Sequence, residues 1–176
     1  MKKIITLLTI LFSAIGLSQE LLPNYVLLGR MDVKAETFIG VDKFGFSYLI
    51  SNNTLNKIKD QKTTEYKNVH LGKITRVDIE NPLLVVLFYE SFNTAVLLDN
   101  QLNEIRQIKF SDINNNVIVP HAVGLASQNR LWIFDSMTQQ IGLYDYARNS
   151  YQSVTTPLTE SISWYQTDYN NFTWID

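Results

Sequence analysis

The sequence contains no cysteine, only two histidines, and few residues that break regular structure: seven glycines and four prolines among 176 residues. The absence of cysteine excludes disulfide bonds, thiol nucleophiles, and zinc or iron–sulfur sites with cysteine ligands. It also agrees with export, because a free thiol is a liability in an oxidising compartment. A chain of this length is ordinarily one domain with enough residues to bury a core.

The sequence also has no strong excess of positive or negative charge, because its formal net charge is −2. The lysines are scattered, as in the alternating Lys57-Ile58-Lys59, which is typical of a solvated strand face. A nucleic-acid binder would instead carry a basic stripe of clustered lysine and arginine. The composition therefore predicts no nucleic-acid partner.

Long apolar runs are confined to the N-terminus. Two lysines precede a mostly apolar stretch over residues 4–15, which is too short to span a bilayer. Small residues follow, and polar residues and a proline come directly after them, which disfavours the alternative of a buried N-terminal helix. The pattern predicts a secretory signal peptide over residues 1–18, cleaved between Ser18 and Gln19.

The location of the mature protein follows from the same features. No cysteine stands at the cleavage point, so the sequence predicts that the protein is not a lipoprotein. No downstream run approaches transmembrane length, and we expect no membrane insertion after signal removal. The mature domain, residues 19–176, is expected in the periplasm or outside the cell.

Short apolar segments bounded by turn-forming residues recur along the rest of the chain. Equivalent positions, such as Asp99 and Asp145, lie about 46 residues apart, close to the length of one four-stranded propeller blade. The segments are rich in β-branched and aromatic residues, and no helical period is evident. The approximate units are 37–70, 74–110, 120–157 and 161–176.

The sequence thus predicts an all-β protein made of β-propeller blades of four antiparallel strands. About three and a half blades are expected in this chain, as a fragment of a six-bladed propeller. The outermost strand of each blade should be polar, because it meets water. A sandwich-like domain of four repeats with an adhesive role is the remaining alternative for the fold.

The stretch from Pro120 to Asp145 resembles the NHL-type repeat of TolB-like, six-bladed propellers. Like that repeat, it begins with a proline, which is followed by a strand of small and apolar residues and a polar turn. An apolar strand ending in Asp135 comes next, and the last strand ends in an aromatic residue followed by Asp145. It departs from the repeat at Ala126, where an aspartate commonly closes the first strand. The resemblance implies a propeller fold and leaves function open, because this fold serves enzymes, receptors and scaffolds.

Aspartates recur at equivalent positions of the repeats: Asp99, Asp135, Asp145 and Asp176. They could be ligands of a cation in a central channel, or each could accept backbone N–H bonds within its own turn. Repetition favours the turn interpretation, because a binding site is asymmetric. We therefore predict no cofactor, with a divalent cation left open.

Other polar residues carry no recognised catalytic signature, and no catalytic residue is assigned. The two histidines are expected in loops before a repeat, and four acids lie near strand ends: His70, His121, Glu36, Asp42, Asp78 and Glu80. These residue types keep open one alternative function, a metal-dependent propeller hydrolase or lactonase with a cation in the channel.

Aromatic residues within the strands could line a face that binds a sugar or a peptide. The interpretation that we favour is packing between blades. The candidates are Trp132, Trp164, Trp174, Tyr48, Tyr144 and Tyr165. Together these features predict an exported, non-catalytic binding or scaffold protein, which presents loops to a protein, peptide or glycan.

The signal peptide gives a direct test. Protein exported by a bacterial host should begin at Gln19, which N-terminal sequencing and the intact mass can establish. Ser18→Leu should slow cleavage and accumulate the longer precursor, because the processing site requires a small residue. An exported protein that still begins at Met1 would contradict the prediction.

Overall fold

The structure is a computed structural model that describes residues 25–26, 35–113 and 117–176. The chain divides into two compact units, Met1–Val33 and Lys34–Asp176. All strands named below belong to the second unit. The predicted signal peptide and its cleavage point lie outside the described residues.

Fourteen strands form the described part of the second unit, and almost no helix accompanies them. The first sheet contains β1 (Thr37–Val41), β2 (Ser47–Ser51), β3 (Thr54–Lys59) and β4 (Lys62–Tyr66). The second contains β5 (Arg76–Asp78), β6 (Val85–Tyr89), β7 (Thr94–Leu98) and β8 (Glu104–Lys109). The third contains β9 (Pro120–Ala126), β10 (Arg130–Asp135), β11 (Gln140–Asp145) and β12 (Ser150–Ser153), and a two-stranded sheet contains β13 (Trp164–Thr167) and β14 (Phe172–Ile175).

Each sheet is an antiparallel meander whose strands pair in chain order, and no strand is shared between sheets. This arrangement confirms the predicted fold class, all-β with propeller-type blades. We call the three four-stranded sheets blades 1 to 3, and the two-stranded sheet the β13–β14 hairpin. A sandwich would instead distribute the strands over two facing sheets, so the alternative fold is wrong.

Tight turns between strands use residues that tolerate a left-handed backbone. Asn52 and Asn53 connect β2 to β3 with φ of 50° and 56°, and Gln128 and Asn129 connect β9 to β10 with φ of 60° at both residues. Two consecutive residues with positive φ form the hairpin turn whose twist matches that of the strands. Asparagine adopts this conformation more readily than most residues.

Burial decreases from the middle of a blade to its outer edge. All five residues of β6 and all five of β7 are buried, whereas the outermost strand β8 buries one of its six residues. Strands β4 and β12 contain no buried residue. The expectation of a polar outermost strand is therefore confirmed.

The apolar core lies between consecutive sheets. One cluster between blades 2 and 3 surrounds Phe110, which contacts Phe88 and Tyr144 edge to face, at ring-centroid distances of 6.4 and 5.6 Å. A second cluster joins blades 1 and 2, and a smaller one joins blade 3 to the β13–β14 hairpin. Each blade thus buries its apolar faces against its neighbours.

No helix among the described residues is long and apolar enough to cross a membrane.

Truncating Phe110 should destabilise the unit strongly, because its side chain is fully buried in the cluster between blades 2 and 3. We expect Phe110→Ala to lower the free energy of unfolding by about 3–5 kcal/mol. Ile105→Ala on the adjacent strand is the control, since Ile105 is mostly exposed, and should change it by under about 0.5 kcal/mol. Chemical denaturation measures both, and equal effects would contradict this assignment of the core.

Candidate functional site: a cavity between inner strands

A cavity of about 620 Å³ is lined mainly by residues of and next to β1, β5 and β13, which are the first strands of three of the four sheets. Each of these strands pairs with only one neighbour in its own sheet, and no second partner strand is found for it in the part of the chain that the structure describes. Polar, charged and aromatic side chains meet here, among them Thr37, Lys73, Arg76, Asp78, Trp164 and Gln166. A concave site with a few convergent polar groups is where a ligand is expected to bind.

Asp78 fixes the arrangement of the inner strands. Its carboxylate is buried, and one oxygen accepts hydrogen bonds from the amide of Leu125 at 2.8 Å and the hydroxyl of Thr167 at 3.1 Å. The other oxygen accepts the amide of Glu80 at 2.9 Å. One carboxylate therefore connects β5 with β9 and β13, and its role is structural.

Gly124 allows β13 to approach β9 closely. A Cβ atom at this position would lie 2.0 Å from Oγ1 of Thr167 and 2.7 Å from its Cβ. Any side chain here would therefore push β13 away. The missing side chain of Gly124 and the carboxylate of Asp78 together define where Thr167 lies.

Tyr165 is held rigidly at the same junction. Its hydroxyl donates to the carbonyl of Val123 and accepts from the amide of Val123, both at 3.2 Å. Its ring stacks on Phe172 with an interplanar angle of 8° and a centroid distance of 5.6 Å. Burial raises the pKa of the Tyr165 hydroxyl, so this group is a neutral hydrogen-bonding anchor at physiological pH.

Arg76 lies on this anchor. Its Nη2 donates to the backbone carbonyl of Tyr165 at 3.2 Å, and its guanidinium lies 4.6 Å from the centroid of the Tyr165 ring. Within the described part of the chain, no carboxylate lies within ion-pair distance of Arg76. The cavity thus contains an oriented cation whose remaining N–H groups are available to a ligand.

Trp164 brings an aromatic surface to the cavity. The pairing of β13 with β14 places Trp164 opposite Ile175 and Tyr165 opposite Trp174, so the two tryptophans lie on opposite faces of the hairpin. Trp164 is 46% exposed and lines the cavity, whereas Trp174 is 40% exposed and is not among the lining residues. The pair offers a matched comparison.

A smaller cavity of about 230 Å³ shares Arg76 and Trp164 with the first. It contains His121, whose Nδ1 lies 2.7 Å from Oε1 of Glu90. His121 belongs to β9, so its expected position in a loop is wrong. His70 lies before β5 and lines a separate cavity, so the two histidines do not share a site.

The recurring aspartates accept backbone N–H bonds in turns. Asp99 accepts the amides of Gln101 and Asn103, both at 2.8 Å, and Asp145 accepts those of Ala147 and Arg148, both at 2.9 Å. Hydrogen bonds lower the pKa of both carboxyl groups, chiefly from the Asn103 side chain to Asp99 and from the Arg148 amide to Asp145. These contacts support the turn interpretation.

Asp135 and Asp176 differ from this pattern in part. Asp135 accepts the amide of Met137 in its own turn at 3.2 Å, and also that of Val119 at 3.0 Å. The carboxyl group of Asp176 instead has Glu160 as its neighbour, and the pKa of Glu160 is raised because its protonated form can hydrogen-bond Asp176 and its charged form is repelled by it. Within residues 35–113 and 117–176, no three histidine or acidic side chains form a set that could hold a metal ion.

The remaining predicted residues have mostly structural contacts. Asp42 accepts the amides of Phe44 and Phe46 and the hydroxyl of Tyr48, and Glu36 accepts the amide of Asn52. Four of the six aromatic candidates pack within or between sheets, as expected: Tyr48, Tyr144, Trp132 and Tyr165. Trp174 is partly exposed but packs against Phe172 of its own hairpin at a ring-centroid distance of 6.2 Å, and Trp164 is the exception.

Sequence reasoning did not identify Arg76, Gln166 or Glu90. Arg76 directly precedes the buried Val77-Asp78 at the start of a repeat. A second charged residue on the short inner strand β5, two positions before Asp78, is the one signal that could have indicated it.

No protein-family model matches the sequence, and no curated protein matches it. The fold is similar to a catalytically inactive virginiamycin B lyase from Staphylococcus aureus with quinupristin, with 14% sequence identity over 69% of this chain and a TM-score of 0.50. It also matches a selenomethionine-substituted form of that lyase, with 14% identity over 68% of this chain and a TM-score of 0.48. A third match is the hydrazine synthase of Kuenenia stuttgartiensis, with 15% identity over 74% of this chain and a TM-score of 0.45.

The chain spans 42%, 40% and 38% of these three neighbours, respectively. At this level of identity the similarity concerns the fold alone. It agrees with the sheet topology, which defines an all-β protein with propeller-type blades. The more specific NHL-type or TolB-like resemblance and the count of six blades stay predictions.

Removing the carboxylate of Asp78 should destabilise the junction of the inner strands. Asp78→Ala leaves the buried amide of Leu125 without its acceptor, and we expect a loss of about 1–3 kcal/mol in the free energy of unfolding. Glu80→Ala, two residues further along and exposed, should cost under about 0.5 kcal/mol. Urea denaturation compares the two, and similar midpoints would contradict the structural role of Asp78.

Proposed function

We propose that this protein is an exported, non-catalytic binding protein that holds a protein, peptide or glycan ligand in the cavity between its inner strands. The observation that carries the proposal is the half-exposed indole of Trp164 on that cavity, beside the oriented Arg76. An exposed aromatic side chain is informative where it lies in a concave site with polar groups, and Phe38, which is 60% exposed, lines the same cavity. An exposed tryptophan beside available hydrogen-bond donors is typical of a recognition surface.

The chemistry of the turn aspartates also supports binding rather than catalysis. Asp99 and Asp145 direct their carboxylate oxygens to backbone amides, which accounts for their recurrence without a reaction. Export stays part of the proposal on the strength of the N-terminal pattern alone. The activity of the whole protein is likewise a proposal, because the chain spans about two fifths of its structural neighbours.

A second candidate function is a metal-dependent propeller hydrolase or lactonase. The pair of His121 and Glu90 favours it, because a carboxylate on Nδ1 orients an imidazole for proton transfer through Nε2. Metal analysis of the purified protein distinguishes the two functions. Stoichiometric calcium or zinc, lost together with esterase or lactonase activity in His121→Ala or Glu90→Gln, would support the enzyme and contradict a binding protein.

Trp164→Ala tests the binding function. For any oligosaccharide or peptide that binds in a screen, we expect affinity to fall at least about tenfold, since buried aromatic anchors contribute most of the binding energy. Trp174→Ala removes an indole of similar exposure from the opposite face of the hairpin, and should change affinity less than about twofold. Isothermal titration calorimetry measures both.

Equal losses of affinity in Trp164→Ala and Trp174→Ala would show that the ligand does not bind in the cavity beside Trp164. No binding by the parent protein across oligosaccharides and peptides would contradict the proposed function altogether. Thermal unfolding should confirm that both variants remain folded.

A further inference from the structure

We infer that the ligand is an acidic glycan and that Arg76 binds a carboxylate of one of its uronic acid units. This inference rests on the proposed function, since it assigns the ligand class to the same cavity. It follows from three features of the site: the state of Arg76, the engagement of the nearby carboxylates, and the surface around Trp164.

Arg76 is oriented by the protein but has no anionic partner among the described residues. A guanidinium carries five N–H donors, and the contacts of Arg76 are one hydrogen bond to the Tyr165 carbonyl and one ring contact. Both contacts come from Tyr165, which Val123 and Phe172 hold in place. Little side-chain entropy is left to lose on binding, so the planar donor set is prepared for a two-point contact with a carboxylate.

Among the described residues, no nearby acid forms an ion pair with Arg76. Asp78 lies two residues along the same strand, but its oxygens accept bonds from Leu125, Thr167 and Glu80. Glu90 lines the smaller cavity with Arg76 and lies against His121. Glu80 also lines the larger cavity, but it forms no ion pair with Arg76. The free N–H groups of Arg76 are therefore available to an incoming anion.

The surface beside Arg76 is suited to a sugar. Trp164 directly precedes the residue that holds Arg76, and its indole is half exposed at the cavity. A flat aromatic ring packs against the C–H groups of a pyranose, and amide and hydroxyl groups bond its hydroxyls. Gln166 and Thr37 are exposed on the same cavity, where they supply such groups, and Lys73 adds a second cation.

The experiment compares three probes on the purified protein by isothermal titration calorimetry. They are trigalacturonic acid, its methyl ester, which removes the charge while keeping the sugar, and triglutamate, which offers carboxylates on a peptide. We expect the parent protein to bind trigalacturonic acid about 10- to 100-fold more tightly than the ester, the range for charge-assisted hydrogen bonds. Triglutamate should bind more weakly than trigalacturonic acid.

Variants assign the effect to one side chain. Arg76→Gln should lose the 10- to 100-fold preference for the acid over the ester, and Arg76→Lys should retain part of it, because lysine keeps the charge without the planar fork. Arg106→Gln is the matched control. Arg106 also donates to a tyrosine carbonyl, that of Tyr146, but it lies on the outermost strand β8 and should leave the preference unchanged.

An acid-to-ester preference that survives in Arg76→Gln, or tighter binding of triglutamate, would overturn the inference. Should Arg76→Gln fail to fold, equal affinities of the parent protein for acid and ester would overturn it as well. If the parent protein binds the neutral methyl ester in a Trp164-dependent manner and does not bind the acid, the inference fails while the proposed function stands. A parent protein that binds no sugar and no peptide contradicts both.

Discussion

The structure depends on one constraint: a four-stranded antiparallel sheet with two apolar faces can bury both only between two other sheets. Blade 2 shows this most directly. In β6, Val86 and Phe88 face the cluster shared with blade 3, while Val85 and Leu87 face the cluster shared with blade 1. The run of consecutive apolar residues in β6 follows from this double burial, since an isolated sheet would expose half of them. Repetition is therefore how each unit acquires a core.

The same constraint determines where a site can form. The outermost strands are polar and solvated, and the middle strands are covered on both faces, so accessible polar chemistry concentrates on the inner strands and their ends. There β5 and β13 meet through side chains rather than through a shared sheet, as in the contacts of Arg76 with Tyr165 and of Asp78 with Thr167. The hydrogen bond between Thr167 and Asp78 closes the junction, whereas the contact between Arg76 and Tyr165 leaves the guanidinium of Arg76 at the cavity.

The sequence alone was sufficient for the features that depend on local patterns. Alternating apolar runs and asparagine-rich turns predict the strands, and aspartates such as Asp99 and Asp145 predict the bonds that close their own turns, because donor and acceptor lie within four residues. The site depends on contacts of a different kind. Arg76 and Tyr165 are separated by 89 positions, and Glu90 and His121 by 31. Such pairs meet only through the packing of one sheet on the next, which no local pattern encodes.

Blade 3 shows how neighbouring sheets compensate a local departure. Ala126 stands where the resemblance to NHL-type repeats leads one to expect an aspartate closing the first strand, so this turn has no carboxylate of its own. The two amides around it nevertheless have acceptors: Leu125 donates to Asp78 of blade 2, and Ser127 donates at 2.9 Å to the carbonyl of Tyr169 in the turn of the β13–β14 hairpin. The equivalent aspartates, Asp42 and Asp78, each accept the amide two residues further along in their own turns. The first strand of blade 3 has no such carboxylate, and its end is bonded to the neighbouring sheets on both sides instead. Because the amide of Leu125 is buried and requires an acceptor, the carboxylate of Asp78 couples blade 3 to blade 2 at this point.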